Sequence, residues 1–427
     1  MTDVVIVGAG PAGLSAAIAC REHQLDVIVL DEFMKPGGRL LGQLHEEPDG
    51  RWWNGLEEAR KLTARAVELG VELRTDVSVH HIERSADGFV VHAGQDRYHA
   101  GNLLLATGAA ESPAPIPGWT LPGVMTIGAA QVMANVHRVR AGRRGVIVGV
   151  NVLSAAIARE LQLAGMTVEA LVLPASNPVT REGANPRLVM TSLLRIAHLA
   201  PSMLIRCGSR LAKAAWVRDA ALRLFPRGGV KLWGMPVHLR RAAVRINGTE
   251  RVESVTLCKV TPNGVPVPGT EHIVAADFVC IAGGLYPLAE LAAIIGCPFR
   301  SIEELGGYVP IHNVRMETPV AGLFVAGNIT GIESAKVARA QGVVAGLSIV
   351  HRVRSSAAAN DRLNADTSVP VGTDAGAGTE ADNQLERERS AAIEQVRAVR
   401  RAATIQFHPQ IDRGRRIMEM VFREATD

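Results

Sequence analysis

The sequence predicts an α/β chain with two doubly wound, mainly parallel sheets and a helical C-terminal tail. Three observations predict it. A buried apolar strand, Val4-Val5-Ile6-Val7, runs straight into a glycine-rich turn and an apolar helix. The same strand–turn–helix–strand order returns from Gly145-Val146-Ile147-Val148. From Ser355 the composition shifts to Ala, Asn, Asp, Thr and Gly, and then to a charged stretch of helical period over Leu385–Ala402. A length of 427 residues suits two or three domains, and 47% hydrophobic residues supply a large core.

The first turn reads Gly8-Ala9-Gly10-Pro11-Ala12-Gly13, a G-x-G-x-x-G. Its first glycine permits a tight turn, its second lets a pyrophosphate approach the backbone, and its third lets helix and strand pack closely. The free N–H groups at the helix start then face the phosphates. The next strand, Asp26-Val27-Ile28-Val29-Leu30, ends in Asp31-Glu32. An acid about 20 residues past the glycines stands where a ribose hydroxyl needs an acceptor. This order predicts a Rossmann-like, dinucleotide-binding unit.

A second glycine pair, Gly37-Gly38, follows at once in Lys35-Pro36-Gly37-Gly38-Arg39-Leu40-Leu41-Gly42-Gln43. A nicotinamide dinucleotide does not need it. FAD does, because its ribityl chain and ring system run on past the pyrophosphate. Trp52-Trp53-Asn54-Gly55 leads into a helix over Leu56–Leu69, closed by Gly70. A short strand at Val71-Glu72-Leu73 and an antiparallel meander over Val77–Ile82, Gly88–His92 and Asp96–His99 come next. Asn102–Gly108 is a buried strand with a small-residue end, and Pro113, Pro115, Pro117 and Pro122 mark a crossover.

In the second unit the turn is Gly149-Val150-Asn151-Val152-Leu153-Ser154, so Asn151 and Ser154 replace two template glycines. A helix over Leu153–Leu163 and a strand over Val168–Leu173 follow. That strand ends in Pro174, with neither an acid for a ribose nor an arginine for a 2′-phosphate. The shape is kept and the chemistry is eroded, which leaves NAD(P) binding there doubtful. A helix near 186–198, a hairpin over Arg251–Val260 and Val265–Val267, and a strand Asp277–Ile281 ending in Gly283-Gly284 complete the pattern. Leu323-Phe324-Val325-Ala326-Gly327-Asn328 then delivers a polar residue to a helix over Glu333–Val350. The expected partition is a discontinuous cofactor domain (1–112 and 273–352), a second Rossmann-like domain (113–272), a flexible linker (353–383) and a helical tail (384–427).

Net charge is +4 and the isoelectric point about 8.9, with no long basic run before the tail. Only 4% of residues are aromatic. Both argue against nucleic-acid binding. The five cysteines (Cys20, Cys207, Cys258, Cys280 and Cys297) form no C-x-x-C, which excludes a thioredoxin-reductase-type dithiol and suits a reducing compartment. His80 and His81 are strand neighbours pointing to opposite faces, so no metal site is expected there. The N-terminal apolar run breaks at Gly8 and lacks a charged leader, and Ala276–Phe299 is interrupted by Asp277, Pro287 and Glu290. A soluble, cytoplasmic protein is expected.

The ordered motifs GAGPAG, VLDE…PGGRLLGQ, LLLATG, DFVCIAGGLYP and FVAGN, with the Rossmann-like insert, resemble the two-dinucleotide-binding-domain flavoproteins of glutathione-reductase type. The likeness covers about residues 3–350. Within that superfamily the chain resembles the FAD-binding α subunits of heteromeric amine dehydrogenases and oxidases, those of opine oxidase, hydrogen cyanide synthase, proline dehydrogenase and sarcosine oxidase. The resemblance implies FAD across Gly8, Gly10, Ala12, Gly13, Asp31, Glu32, Gly38 and Arg39. It adds Gln43 and Asn54 near the isoalloxazine and Val77 at the adenine. Thr107 and Gly108 would line the site, and Gly327 and Asn328 would cover the pyrophosphate and ribityl end. Asn328 stands where the family has an acid; its amide still hydrogen-bonds a hydroxyl or phosphate. The cysteine-rich 2Fe–2S module of several α subunits has no counterpart after Cys297, so any such cluster belongs to a partner.

The leading functional expectation is an FAD subunit that relays electrons from a second flavoprotein subunit, which oxidises the C–N bond of an amino acid, opine or related amine. A small 2Fe–2S subunit is a further expected partner. One alternative is a self-sufficient NAD(P)H-dependent reductase of a quinone, ferredoxin or other small acceptor. Another is a scaffold that binds a nucleotide only structurally. No catalytic base is assigned. Arg39 is a candidate for stabilising reduced flavin and His45 for titrating near neutral pH.

Overall fold

The computed structural model describes residues 1–47, 50–196, 215–365, 375–403, 408 and 410–426. They form two units. The first comprises Met1–Leu40, Leu56–Ala110 and Leu285–Asp427, and the second Leu41–Gly55 with Glu111–Gly284.

In the first unit the strand Thr2–Val7 lies inside a seven-stranded sheet. Val4, Val5 and Ile6 are fully buried, as a strand covered on both faces requires. Val27–Leu30 pairs in parallel on one side, setting Val7 opposite Leu30. Asp96–Leu105 pairs on the other, setting Val7 opposite Leu105. Glu72–Arg74 and Leu323–Val325 extend the parallel part outward. Four strand ends, Val7, Leu30, Leu105 and Val325, thus meet along one edge. The first half of Asp96–Leu105 pairs antiparallel with Gly88–Ala93, which pairs with Val79–Ser85. Val5, Val7, Leu30, Leu103, Leu105, Leu323 and Val325 share one apolar core. The helices Pro11–Glu22 and Ala335–Ala365 pack where Gly342 and Gly346 meet Ala12 and Ala16.

The second unit is an eight-stranded sheet. Val124–Thr126, Phe278–Ile281, Arg144–Val148, Thr167–Pro174 and Met235–Asn247 pair in parallel in that order. Ser254–Lys259 and His272–Ala275 then add antiparallel edges. Alternate residues serve opposite faces. Ile147 and Leu171 pack with Ile157 and Leu161, whereas Val146, Val148 and Val172 pack with Val255, Leu257 and Ile281.

Three stretches differ from the expected partition, the first being Leu41–Gly55, which groups with the second unit. Phe278–Ile281 lies in the second sheet, because Gly145 to Val148 pair with it residue for residue. The expected linker is helical at both ends: one helix continues to Ala365 and another spans Ala375–Ala402. Ser355-Ser356-Ala357-Ala358-Ala359 holds no glycine or proline to stop a helix. Residues 366–374 lie outside the described residues. The last helix, Ile411–Thr426, buries Ile411 and Met418 against Ile302, Leu305, Val309 and Ile311.

Candidate cofactor site

The glycine turn of the first unit closes tightly and leaves one gap. Gly8 has φ +105°, and a Cβ there would stand 2.4 Å from the Ala106 carbonyl oxygen. A Cβ on Gly13 would stand 1.9 Å from the Gly8 carbonyl oxygen. Those two glycines are required by close packing. Gly10 is different: a Cβ there would meet nothing within 4 Å. Gly10 is also the N-cap of the helix Pro11–Glu22, and no side chain caps that helix. The first-turn N–H groups, those of Ala12 and Gly13 included, therefore have no side-chain cap. Gly38 lies beside this gap, its Cβ position 3.0 Å from Gly10 Cα. Gly327 approaches from the other side, its Cβ position 2.9 Å from Ala12 Cβ.

The two acids after the second strand differ in their surroundings. Asp31 is buried; its Oδ2 accepts from Ala9 N–H at 2.5 Å and its Oδ1 from Phe33 N–H at 2.8 Å. Burial pushes its carboxyl up, and the two backbone hydrogen bonds counter that. Asp31 thus braces the turn, and each of its oxygens keeps a further lone pair. Glu32 is exposed. Val77 donates its N–H to the Asp31 carbonyl at 3.0 Å. Thr107 Oγ1 donates to the Leu288 carbonyl, Leu288 N–H donates to the Gly108 carbonyl, and Arg39 donates Nη2 to the Ala109 carbonyl at 2.8 Å.

At the end of Leu323–Val325, Gly327 N–H donates to Gln341 Oε1 at 3.0 Å. Asn328 Oδ1 accepts from Glu333 N–H at 3.2 Å. Glu333 is nearly buried and is gripped by two tail arginines. Arg400 Nη2 and Arg415 Nε reach Glu333 Oε1 at 3.0 and 3.1 Å. Arg415 also donates to the Thr330 carbonyl at 2.9 Å and lies 3.1 Å from His312 Nε2. Burial raises the Glu333 carboxyl, and Arg415 and Arg400 outweigh burial and hold it below the usual carboxylate range. His312 is pushed down to about 3 by burial and by Arg415, so it stays neutral.

The first unit therefore brings Gly8, Gly10, Ala12, Gly13, Gly38 and Gly327 to one turn region. Gln43 and Asn54 belong to the second unit. There Gln43 Oε1 accepts from Trp53 Nε1 at 3.1 Å, and Asn54 pairs with Leu44 in a short hairpin. His45 sits in that hairpin, its ring centroid 6.3 Å from Trp53. Gln341, Glu333, Arg400 and Arg415 were not foreseen from the sequence. Gln341 sits within an apolar helix, and the arginines lie 67 and 82 positions from the glutamate they hold.

The helix of the second unit begins differently. Asn151 Oδ1 accepts from Ser154 N–H at 2.8 Å, and Ser154 Oγ accepts from Asn151 N–H at 2.9 Å. This reciprocal capping box satisfies from within the donors that a pyrophosphate would otherwise take. Behind it, Glu160 is buried among neutral donors. It accepts from Gln131 Nε2 at 3.0 Å, Asn135 Nδ2 at 2.5 Å and Leu44 N–H at 3.4 Å. Burial raises its carboxyl to about 7, against those hydrogen bonds.

The residues of the first unit fit FAD: an uncapped helix start, a side-chain-free gap at Gly10 faced by Gly38, and an exposed acid at Glu32. Comparison with known proteins agrees. The chain is 30% identical over 363 residues to an opine oxidase subunit of Rhizobium meliloti, covering 82% of this chain and 70% of that one. The opine oxidase subunit of the same name from Agrobacterium tumefaciens is also 30% identical, over 81% of this chain and 64% of its own. Hydrogen cyanide synthase subunit HcnB of Pseudomonas aeruginosa is 28% identical over 81% of this chain and 70% of its own. In fold, L-proline dehydrogenase from P. horikoshii has a TM-score of 0.58 at 18% identity, over 82% of this chain and 55% of that one. Thioredoxin reductase of Lactococcus lactis has a TM-score of 0.58 at 21% identity, over 82% and 98%. Residues 2–342 match the model of the pyridine nucleotide-disulphide oxidoreductase family; the chain belongs to that family and is an FAD-dependent oxidoreductase.

Proposed function

We propose that this chain is the FAD-carrying subunit of a heteromeric dehydrogenase or oxidase acting on the C–N bond of an amino acid, opine or related amine. Electrons reach its flavin from a partner flavoprotein rather than from a nicotinamide. One observation carries this reading: the Pro11–Glu22 helix begins uncapped at Gly10, whereas the Val152–Leu163 helix is capped by its own Asn151 and Ser154. An open helix start draws a phosphate, and a self-satisfied one gives it little to bind. The names of the similar proteins, as oxidase or synthase subunits, support the rest.

Bound FAD supplies the two-electron chemistry. The chain's residues hold and orient it. The N–H groups of Ala12 and Gly13 donate to the pyrophosphate, Asp31 and Glu32 accept from the ribose hydroxyls, and Asn328 offers its Nδ2 to the ribityl end. Val77 meets the adenine through its carbonyl. Gly38 and Gly327 admit the cofactor by carrying no side chain, Asp31 and Gly8 shape the turn, and Arg39, Thr107 and Gly108 line its far side.

Among the described cysteines, thiol relay has no support. Burial pushes Cys20 up to about 12 and Cys297 up to about 11, so neither is a thiolate near neutral pH. An iron–sulfur cluster in the complex would sit on a small partner protein.

The test is anaerobic titration of the FAD-loaded protein with NADH and NADPH, followed by flavin absorbance. The expected result is no bleaching with either and full bleaching with dithionite. Rapid bleaching by a nicotinamide would overturn the reading in favour of a self-sufficient reductase. A flavin that dithionite cannot reduce would favour a structural nucleotide in a scaffold.

A further inference from the structure

We infer that the C-terminal helices are a working part of the cofactor site, with Arg415 and Arg400 as positioning residues that clamp the turn Gly327–Glu333. The inference rests on the FAD reading above and extends it to a segment that lies beyond the family match at residue 342.

The clamp is built from both tail helices. Arg400 lies in Ala375–Ala402 and Arg415 in Ile411–Thr426. Arg400 places Nε and Nη2 on the two Glu333 oxygens, a bidentate pair. Arg415 spends Nε and Nη2 on Glu333 and Nη1 on Thr330 and His312. Glu333 in turn donates its backbone N–H to Asn328 Oδ1. The connection therefore runs from the tail, through Glu333 and Thr330, to the residue that faces the ribityl end. Gln341 closes the other side of the turn, taking Gly327 N–H and exchanging a hydrogen bond with Thr330 Oγ1.

The charges do not cancel at depth. Arg400 and Arg415 have side-chain exposures of 12% and 11%, and Glu333 has 7%. His312 is fully buried and neutral. Other charged groups line the adjoining cavity, Arg397 and Glu419. Arg397 is exposed and paired with Glu394, and Glu419 is half-buried. Two buried guanidiniums thus share one buried carboxylate. The excess positive charge lies against Thr330 and Glu333, in the turn proposed to cover an anionic pyrophosphate. In such a low-dielectric place one charge counts for more than at the surface. The tail therefore contributes to the site in two ways, by fixing the turn and by supplying a cation.

The test uses the full-length chain, with FAD affinity measured by flavin fluorescence and apoprotein melting measured alongside. Arg415→Gln removes the excess charge and is expected to weaken FAD binding about tenfold or more. Arg415→Lys keeps the charge and is expected to recover most of the loss. Arg400→Gln, at the other end of the clamp, is the second variant should Arg415→Gln fail to fold; it also removes the excess charge and is expected to weaken FAD binding. Unchanged FAD affinity in a folded Arg415→Gln or Arg400→Gln protein overturns the inference. So does an equal loss in the Gln and Lys variants that tracks their apoprotein melting, because that marks packing alone. A wild-type chain that takes up no flavin would instead sink the FAD reading itself, and this inference with it.

Discussion

Gly10 and Gly13 are the same residue type in one turn, and they answer to different constraints. A Cβ at Gly13 runs into the Gly8 carbonyl oxygen, so Gly13→Ala must push strand and helix apart. The expected cost is about 3 kcal/mol of stability, seen as a lower denaturation midpoint of the apoprotein. A Cβ at Gly10 meets no protein atom, and its φ of −74° suits alanine. Gly10→Ala is therefore expected to keep the apoprotein melting temperature within a few degrees while FAD affinity falls about tenfold or more. Equal FAD affinity in Gly10→Ala and wild type would show that the gap is not where the cofactor lies. Glu160 sets a pH dependence. Its folded carboxyl titrates at about 7, above its ordinary 4.5, so the folded state holds the proton more tightly than the unfolded chain does. The associated stability is complete below about 4.5, declines as pH rises through 7 and is gone above that, a change of about 3 kcal/mol. Urea denaturation at several pH values between 4 and 8 should show this decline in wild type and lose it in Glu160→Gln.

At the scale of elements, the two glycine-turn helices make the sharpest comparison. Asn151→Ala removes a cap and is expected to destabilise the second unit by about 1 kcal/mol with no change in FAD affinity, checked by thermal melting with and without flavin. The sequence made these elements legible where a single local rule decides them. Val4–Val7 is a strand because four apolar residues run into glycine, and Val152–Leu163 is a helix because its apolar period and its Asn–Ser start agree. The loss of two glycines was visible in the sequence, but not that Asn151 and Ser154 would cap the helix by satisfying each other. Spacing singled out Asp31 as an acceptor for a ribose hydroxyl. It did not report that Asp31 also holds the Ala9 and Phe33 N–H groups, one on each carboxylate oxygen. Membership of a sheet was harder still. Phe278–Ile281 is a plain apolar strand, and only its partner Arg144–Val148 decides where it belongs. The helical ends of the expected linker, from Ser355 on and up to Asn383, show that low hydrophobicity predicts exposure better than it predicts irregular backbone.

At the scale of the whole molecule, the tail is bound into the first unit by a small apolar core as well as by the arginines. Deleting residues 411–427 removes Ile411 and Met418 from their contacts with Ile302, Leu305 and Val309. Losing two fully buried side chains of that size costs about 4 kcal/mol, so the truncated chain should melt earlier and aggregate on heating, measurable by light scattering.

The strand Asp96–Leu105 takes its last parallel neighbour from Leu323–Val325, with the entire second sheet made in between. A ribosome adds that intervening stretch at about 5–20 residues per second, so the N-terminal half of this sheet waits on the order of 10–40 s with an open edge. The turn at Gly327 and the arginines behind it emerge later still. On the FAD reading, flavin loading waits for this last strand and the turn after it: nascent chains stalled before residue 323 should capture no FAD, and the unpaired edge of Asp96–Leu105 is the surface a chaperone would have to shield in the meantime.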